Sequence, residues 1–359
     1  MGKEKIPAPE KTRSLLHAEK ALAEDDADRS LRPQRLAEFL GQDAMKENLA
    51  VFISAAKERG ESLDHLFLIG PPGLGKTTLA QVVARELGVD FKVTSAPALD
   101  KPKDLAGILT AVTEKTVFFI DEIHRLKPAL EEMLYIAMED YELDWIIGQG
   151  PSARTIRIPI PPFTMVGATT KAGNVSSPLI SRFGITCRFS FYEPKDMEAI
   201  IRRSAGILKA PITIDASRRL AASSRGTPRV ANRLIRRMRD FAQARRTPAI
   251  TLDVVEEGLN RLEIDRLGLE KYDREILAII IERYRGGPVG AETLAISLGE
   301  TVDTLEDYYE PYLIQSGLLQ RTPRGRMATP RAYQHLNLPQ NAASQTSGGG
   351  THEDQRVLI

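Results

Sequence analysis

The chain has 359 residues, 42% of them hydrophobic and 27% charged, enough for two or three domains and incompatible with a disordered or fibrous protein. Lys and Arg number 49 against 48 Asp and Glu, a net charge of +1, so any nucleic-acid contact must come from local basic patches rather than a bulk positive field. The single cysteine, Cys187, excludes an internal disulfide and a cysteine-rich zinc site and suits a reducing compartment.

Residues 1–30 are charged and lack the apolar centre of a signal peptide, and no later run approaches the ~20 apolar residues of a membrane span. A cytoplasmic protein is expected. Residues 1–27 carry no apolar period and are expected to be a disordered extension. Between Leu31 and Phe191, short apolar runs alternate with amphipathic helices. His65–Ile69, Asp90–Thr94, Thr116–Ile120 and Phe163–Gly167 read as buried strands, which predicts an α/β domain with a largely parallel sheet. Residues 194–261 have helical spacing only, as in Asp196–Leu208 and Val230–Ala244, and predict a small helical domain. A helix over Tyr272–Tyr284, Gly286-Gly287-Pro288, a second helix, a third over Thr304–Gln315 and a hairpin over Leu318–Ala328 suggest a winged helix. The segment Asn341–Gly350 has linker composition. The expected division is 1–27 extension, 28–192 α/β domain, 193–263 helical domain, 264–338 winged helix and 339–359 disordered tail.

Gly70-Pro-Pro-Gly-Leu-Gly75-Lys76-Thr77 fits a phosphate-binding loop and lies where that chemistry needs it, between a strand and a helix. Gly73 and Gly75 let the backbone curl so that successive N–H groups aim at phosphate, reinforced by the helix N-terminus. Lys76 would neutralise the β and γ phosphates, and Thr77 is the expected magnesium ligand; Thr78 joins the nucleotide contacts. Val117–Ile120 then runs into Asp121-Glu122. Asp121 would hold the magnesium shell and Glu122 would orient or deprotonate the attacking water. The alternative for the acidic pair alone is a helix N-cap and first turn.

The string Asp121-Glu-Ile-His124 also occurs in helicases of another P-loop class. The downstream residues differ from that class: Ala168-Thr169-Thr170, then Arg182-Phe183-Gly184, then Gly226-Thr227-Pro228-Arg229 at a helix start. That order resembles the AAA+ ATPases, and His124 is then expected to be structural. Within that class the chain resembles the RuvB family of Holliday-junction branch-migration motors. The residues carrying the match include Leu31-Arg32-Pro33, Gly41-Gln42, Phe119–Leu126, Ala137–Tyr141, Gly286–Gly290, Glu310–Leu313 and Arg321–Arg326, within a stretch from about Asp28 to Leu336.

The resemblance implies that Arg32, Tyr141 and Tyr192 line the adenine and ribose side, with Leu31, Glu139 and Asp140 nearby. It implies Thr170 as a polar sensor, Arg182 as an arginine finger reaching the neighbouring subunit's site, and Arg229 as a lid contact to the γ-phosphate. Many members carry a further arginine where this chain has Ile180. The implied assembly is a homo-hexameric ring on duplex DNA at Holliday junctions, driven by ATP and Mg2+. RuvA would dock on a hairpin over 143–160, and the resolvase RuvC would join the full complex. A hairpin folded onto its own domain, with Trp145 as core, is the alternative reading of that segment.

Arg218–Arg246 holds ten arginines and one acid, Asp240. Nucleotide or intersubunit contact is preferred to DNA contact there, with Arg218, Arg219, Arg225, Arg233, Arg236, Arg237 and Arg239 left undecided. Arg321, Arg324 and Arg326 around the Gly325 turn are expected to grip DNA phosphates without reading bases. The acidic helix bearing Asp303, Glu306, Asp307 and Glu310 is expected to face away. The expected function is an ATP-driven DNA translocase in recombination and repair. The alternatives are a clamp-loader-like or protein-remodelling ATPase and an ATP-switched winged-helix regulator.

Overall fold

The computed structural model describes residues 30–147 and 154–339. The expected extension 1–27, the turn at 148–153 and nearly all of the tail 339–359 lie outside the described residues. The chain forms two compact units, Met1–Gly258 and Leu259–Ile359.

The first unit is built on five parallel strands in the order β2-β3-β6-β1-β7. These are β1 (Leu66–Ile69), β2 (Phe91–Ser95), β3 (Val117–Asp121), β6 (Thr164–Thr169) and β7 (Ile185–Arg188), with a separate hairpin of β4 (Glu142–Ile147) and β5 (Arg154–Pro159). The four expected strands are present, but β2 is not buried as expected: it lies at the sheet edge with Val93 exposed. The fifth, β7, was not expected, because Ile185-Thr-Cys-Arg188 is short and only alternately buried; it forms an edge beside β1. The inner strands β1 and β3 are continuous apolar runs. Leu66, Phe67, Leu68 and all of Val117–Ile120 are buried, as strands covered on both faces must be.

The register aligns the strand ends. Ile69 pairs with Thr169, and Ile120 with Gly167. The loop after β1, the acids at the end of β3 and the polar tip of β6 therefore emerge together at the C-terminal edge of the sheet, where open α/β sheets bind ligands. The helical portion comprises Pro194–Ile207, Ile214–Ala222, Pro228–Ala244 and Leu252–Arg261. Thr213 caps the second of these, its side chain accepting from the Ala216 N–H.

The hairpin β4–β5 is anchored on the sheet domain. Leu143 and Ile160 are buried in the main core, with Trp145 and Ile158 packed against it, while Ile156, opposite Trp145, is exposed. Its base thus folds onto its own domain.

The second unit has helices Lys271–Glu282 and Ala291–Leu298, a broken third helix, the hairpin β8 (Leu319–Thr322) and β9 (Gly325–Ala328), and a last helix Pro330–Leu336. Its core includes Ile276, Ile280, Leu294, Leu313 and Leu318. The third helix was expected to be continuous over 304–315. Instead Val302–Thr304 passes through a π turn at Leu305–Tyr309 before Glu310–Gln315. Pro311 lacks the N–H that would close an α-helical bond onto Asp307, and the wider turn absorbs that loss. Among the described residues, no helix is long and apolar enough to cross a membrane.

Candidate functional site

The loop after β1 leads into the helix Lys76–Leu87, whose N-cap is Gly75 at φ 102 with no side-chain cap. Its first N–H groups are thus left for a ligand. Gly73 has φ 78, and a Cβ there would lie 2.8 Å from Thr227 Cγ2 and 3.0 Å from Arg229 Cβ. The helical portion presses that closely on the loop, and the Arg229 N–H donates to the Gly73 carbonyl at 3.3 Å. Lys76 is only 7% exposed. Its Nζ donates to the Gly70 and Pro71 carbonyls at 2.7 and 2.8 Å. Burial pulls its pKa down to about 8, an effect opposed by Asp121 and reinforced by Arg229.

Asp121 and Glu122 stand at the end of β3. Asp121 Oδ1 accepts the Glu122 N–H at 2.9 Å. Glu122 has φ 51 and pairs with Arg125 at 3.1 Å; a left-handed glutamate at a strand tip is a strained conformation of the kind found at functional sites. His124 Nδ1 and Thr169 Oγ1 are hydrogen-bonded at 3.0 Å, and the Lys171 N–H donates to the same hydroxyl at 3.0 Å. His124 therefore ties the acidic segment to the β6 tip, one residue before Thr170.

These residues enclose a cleft of about 880 Å³, open to solvent, lined by Arg32, Gly73, Gly75, Lys76, Thr77, Thr78, Asp121, Glu122, Thr170 and Arg229. Beside it lies a more apolar pocket of about 480 Å³, whose walls include Leu31, Phe39, Leu40, Leu74, Tyr192 and Ile200. Arg32, Gly75, Thr78, Pro228 and Asn232 border both. The buried Tyr192 hydroxyl donates to the Leu74 carbonyl at 3.1 Å, and burial raises its pKa. Arg203 donates to the Leu31 carbonyl at 2.7 Å. Phe39, Arg203 and Asn232 carry no motif and were not expected here. Asn232 lies three residues past Arg229 on the same helix, and that spacing was the available signal.

Glu139, Asp140 and Tyr141, expected on the adenine side, do not line this pocket. They close the helix Pro128–Glu139 and lead into β4. Tyr141 packs edge-on against His65 and Phe163, and Glu139 forms an ion pair with Arg182. Arg182 also donates to the Tyr135 hydroxyl and lies 4.2 Å above that ring. The expected residues are therefore split: one group surrounds the cleft and its neighbouring pocket, while Glu139, Asp140 and Tyr141 lie away from it, with Glu139 paired to Arg182.

In the second unit the acidic helix does not face away from the wing, and Arg326 is not a free phosphate ligand. Arg326 is 7% exposed, with Nε donating to Glu310 at 2.6 Å and a further contact to Glu306. The cause is topological. Arg326 is directly opposite Arg321 in the hairpin, and its backbone is also bridged to Val289, so its side chain turns inward beside a like charge. Glu306 and Glu310 neutralise that face; Glu306 also accepts from Arg321 at 3.0 Å. Arg324 is exposed at the turn, and Arg321 remains 56% exposed.

Much of the basic run 218–246 is paired locally. Arg219 bonds Glu256 at 2.7 Å, Arg218 bonds Glu198 at 3.3 Å, and Arg245 pairs with Glu257. Arg225 is buried, and Arg237 and Arg239 approach Asp240 at 3.6 and 3.7 Å.

Fold and site together define a P-loop ATPase of the AAA+ class with a helical lid and a C-terminal winged helix. Residues 31–189 match the Holliday junction DNA helicase RuvB P-loop domain, 192–265 the RuvB AAA lid domain and 266–337 the RuvB C-terminal winged helix domain. The Holliday junction branch migration complex subunit RuvB of Treponema denticola is 74% identical over 316 residues, spanning 88% of this chain and 92% of that protein. Its counterpart from Borreliella burgdorferi is 56% identical over 344 residues, spanning 96% and 97%. The solved Thermotoga maritima RuvB Holliday junction branch migration motor matches with TM-score 0.81 and 49% identity over 86% of this chain and 99% of that one. The chain belongs to the RuvB family.

The expected contact of Lys76 with phosphate requires a charged ammonium, and burial lowers its pKa to about 8. Nucleotide affinity in equilibrium titrations should therefore hold below pH 8 and fall up to about tenfold per unit above it, a trend absent from Lys76→Ala. Arg326→Met should cost about 3–5 kcal/mol in denaturant unfolding, because it strands the Glu310 carboxylate, and adding Glu310→Leu should recover most of the loss.

Proposed function

We propose that this chain is an ATP-hydrolysing DNA motor that moves Holliday junctions in recombination and repair, acting as a homo-hexameric ring on duplex DNA in the cytoplasm. The observation that carries the proposal is the cleft in which sheet and lid residues meet: Lys76, Thr77, Asp121, Glu122 and Thr170 from one side, Arg229 from the other. A nucleotide bridging them makes lid angle depend on nucleotide state. The division into 28–192, 193–263 and 264–338 belongs to the same reading.

The triphosphate would lie along the Gly73–Thr78 backbone, with the base in the pocket of Leu31 and Tyr192 and with Arg32 at the junction. Lys76 and Arg229 offset charge on the β and γ phosphates. Glu122 orients water for in-line attack and Thr170 fixes its approach. Thr77 and Asp121 offer a hydroxyl and a carboxylate, the hard oxygen donors that suit Mg2+ shared with phosphates. Among the described residues no group of three or more His, Cys, Asp or Glu forms a metal cage by itself, as fits an ion that arrives with the nucleotide. When bound, that ion would supply charge neutralisation on the phosphate oxygens.

Arg182 would serve the site of the adjoining subunit, with Glu139, Asp140 and Tyr141 on the same protomer face. The separation of this group from the cleft supports that assignment. Arg321 and Arg324 would meet DNA backbone, with Arg326 holding the wing rather than touching phosphate. The β4–β5 hairpin would dock RuvA through the exposed Ile156, and RuvC would join the full complex. The paired lid arginines are better suited to holding the lid together than to gripping DNA.

The discriminating experiment is migration of synthetic four-way junctions with ATP, with and without RuvA, over a salt series. Junction movement supports the motor, ATP-dependent DNA binding without movement would indicate a regulator, and stimulation by unfolded polypeptide a remodelling enzyme. Arg182→Ala should bind ATP normally and hydrolyse it about 10³-fold or more slowly. Mixing it with Glu122→Gln should restore part of the activity, because each variant retains what the other lacks; no recovery would sink the shared-site arrangement.

A further inference from the structure

The face carrying Arg182 shows how an arginine could be aimed at a site outside its own chain. The base of the residue is fixed by its neighbour: Phe183 is buried and stacks on Phe67 with centroids 4.9 Å apart. The guanidinium is steered from the helix Pro128–Glu139, where Tyr135 and Glu139 share a face at i, i+4 spacing. Its carbon lies 4.2 Å above the Tyr135 ring, the Tyr135 hydroxyl and the Glu139 carboxylate both accept from it, and Nε is buried without a hydrogen-bond partner.

The two holding groups differ in kind. Glu139 is 44% exposed, and a carboxylate in that setting is readily exchanged for another anion. The aromatic face attracts the cation whichever anion it is paired with, so that contact survives such an exchange. No nucleotide-contacting motif includes Tyr135, and it does not line the cleft.

We propose that Tyr135 is the positioning residue for Arg182: its ring and the attraction of its face keep the guanidinium in place while the anionic partner changes from Glu139 of the same chain to the phosphate of a nucleotide on an adjoining copy. This rests on the intersubunit reading of Arg182 given above. Tyr135 touches neither substrate nor reacting atoms; it shortens the search the long side chain must make at each turnover.

The test uses the full chain as an assembled ATPase. Tyr135→Leu should leave the KM for ATP within about twofold and lower kcat about 10- to 100-fold, the scale of a misplaced catalytic group. Tyr135→Phe, which keeps the ring, should stay within about threefold of the parent kcat. Mixed with Glu122→Gln, which brings an intact Tyr135–Arg182 pair, Tyr135→Leu should regain hydrolysis. A parental kcat in Tyr135→Leu, a loss expressed in KM alone, or equal losses in Leu and Phe variants would overturn the proposal. The Arg182→Ala and Glu122→Gln mixture is the control: recovery there with a parental Tyr135→Leu overturns this proposal alone, whereas no recovery overturns the intersubunit reading and this proposal together.

Discussion

The site depends on one constraint: a lysine that must stay charged while almost wholly buried in a loop of its own backbone. Lys76 meets it by donating to the Gly70 and Pro71 carbonyls, which are available only because the loop between β1 and its helix turns through left-handed glycines. Asp121, delivered by β3 two strands away, opposes the desolvation. The parallel sheet is what makes this possible. The aligned register of the strands brings the loop, the acids and the β6 tip to one edge, and continuous burial of Leu66–Leu68 and Val117–Ile120 holds that edge rigid. The phosphate site is thus a property of the sheet, with the loop as its exposed end.

The same physics sorts the arginines. A guanidinium is most useful to a phosphate when it is exposed, or when the carboxylate that pairs with it is itself exposed and exchangeable. Arg219, Arg326 and Arg245 have carboxylate partners in the fold, and Arg326 is enclosed with its partner. Arg229 and Arg324 are exposed, one at the cleft and one at the tip of a hairpin. Arg182 lies between these classes. It is paired, but through an exposed carboxylate and an aromatic face, the kind of pairing that another anion can replace.

Most of the fold was legible because it is written in short-range terms. Buried parallel strands are continuous apolar runs, and the glycine loop with its following lysine occupies a fixed place between strand and helix. Features that depend on distant pairing escaped. β7 is a four-residue edge strand whose side chains alternate between buried and exposed, and only its partnership with β1 makes it a strand. Arg326 is enclosed by Glu306 and Glu310 of the acidic helix and its backbone is bridged to Val289; these partners are 16 or more residues away in the chain, so the hairpin sequence alone does not reveal them. Tyr135 and Asn232 carry no motif, and their places emerge only once helices are set against one another.

Placement of the pocket residues followed the same divide. Leu31, Arg32 and Tyr192 meet at one pocket although they are far apart in the chain, because the N-terminal segment, the loop and the lid entry pack together: Tyr192 reaches Leu74, and Arg203 reaches Leu31. Glu139–Tyr141 fall elsewhere, since the helix preceding them ends at the β4–β5 hairpin and leaves Glu139 paired with Arg182 and Tyr141 packed on His65 and Phe163. On the proposed intersubunit reading, a complete nucleotide environment combines the cleft of one copy with the arginine face of another. That proposed division would make hydrolysis contingent on assembly, and it accounts for a protomer that holds a well-formed cleft while its Arg182 is paired with its own Glu139.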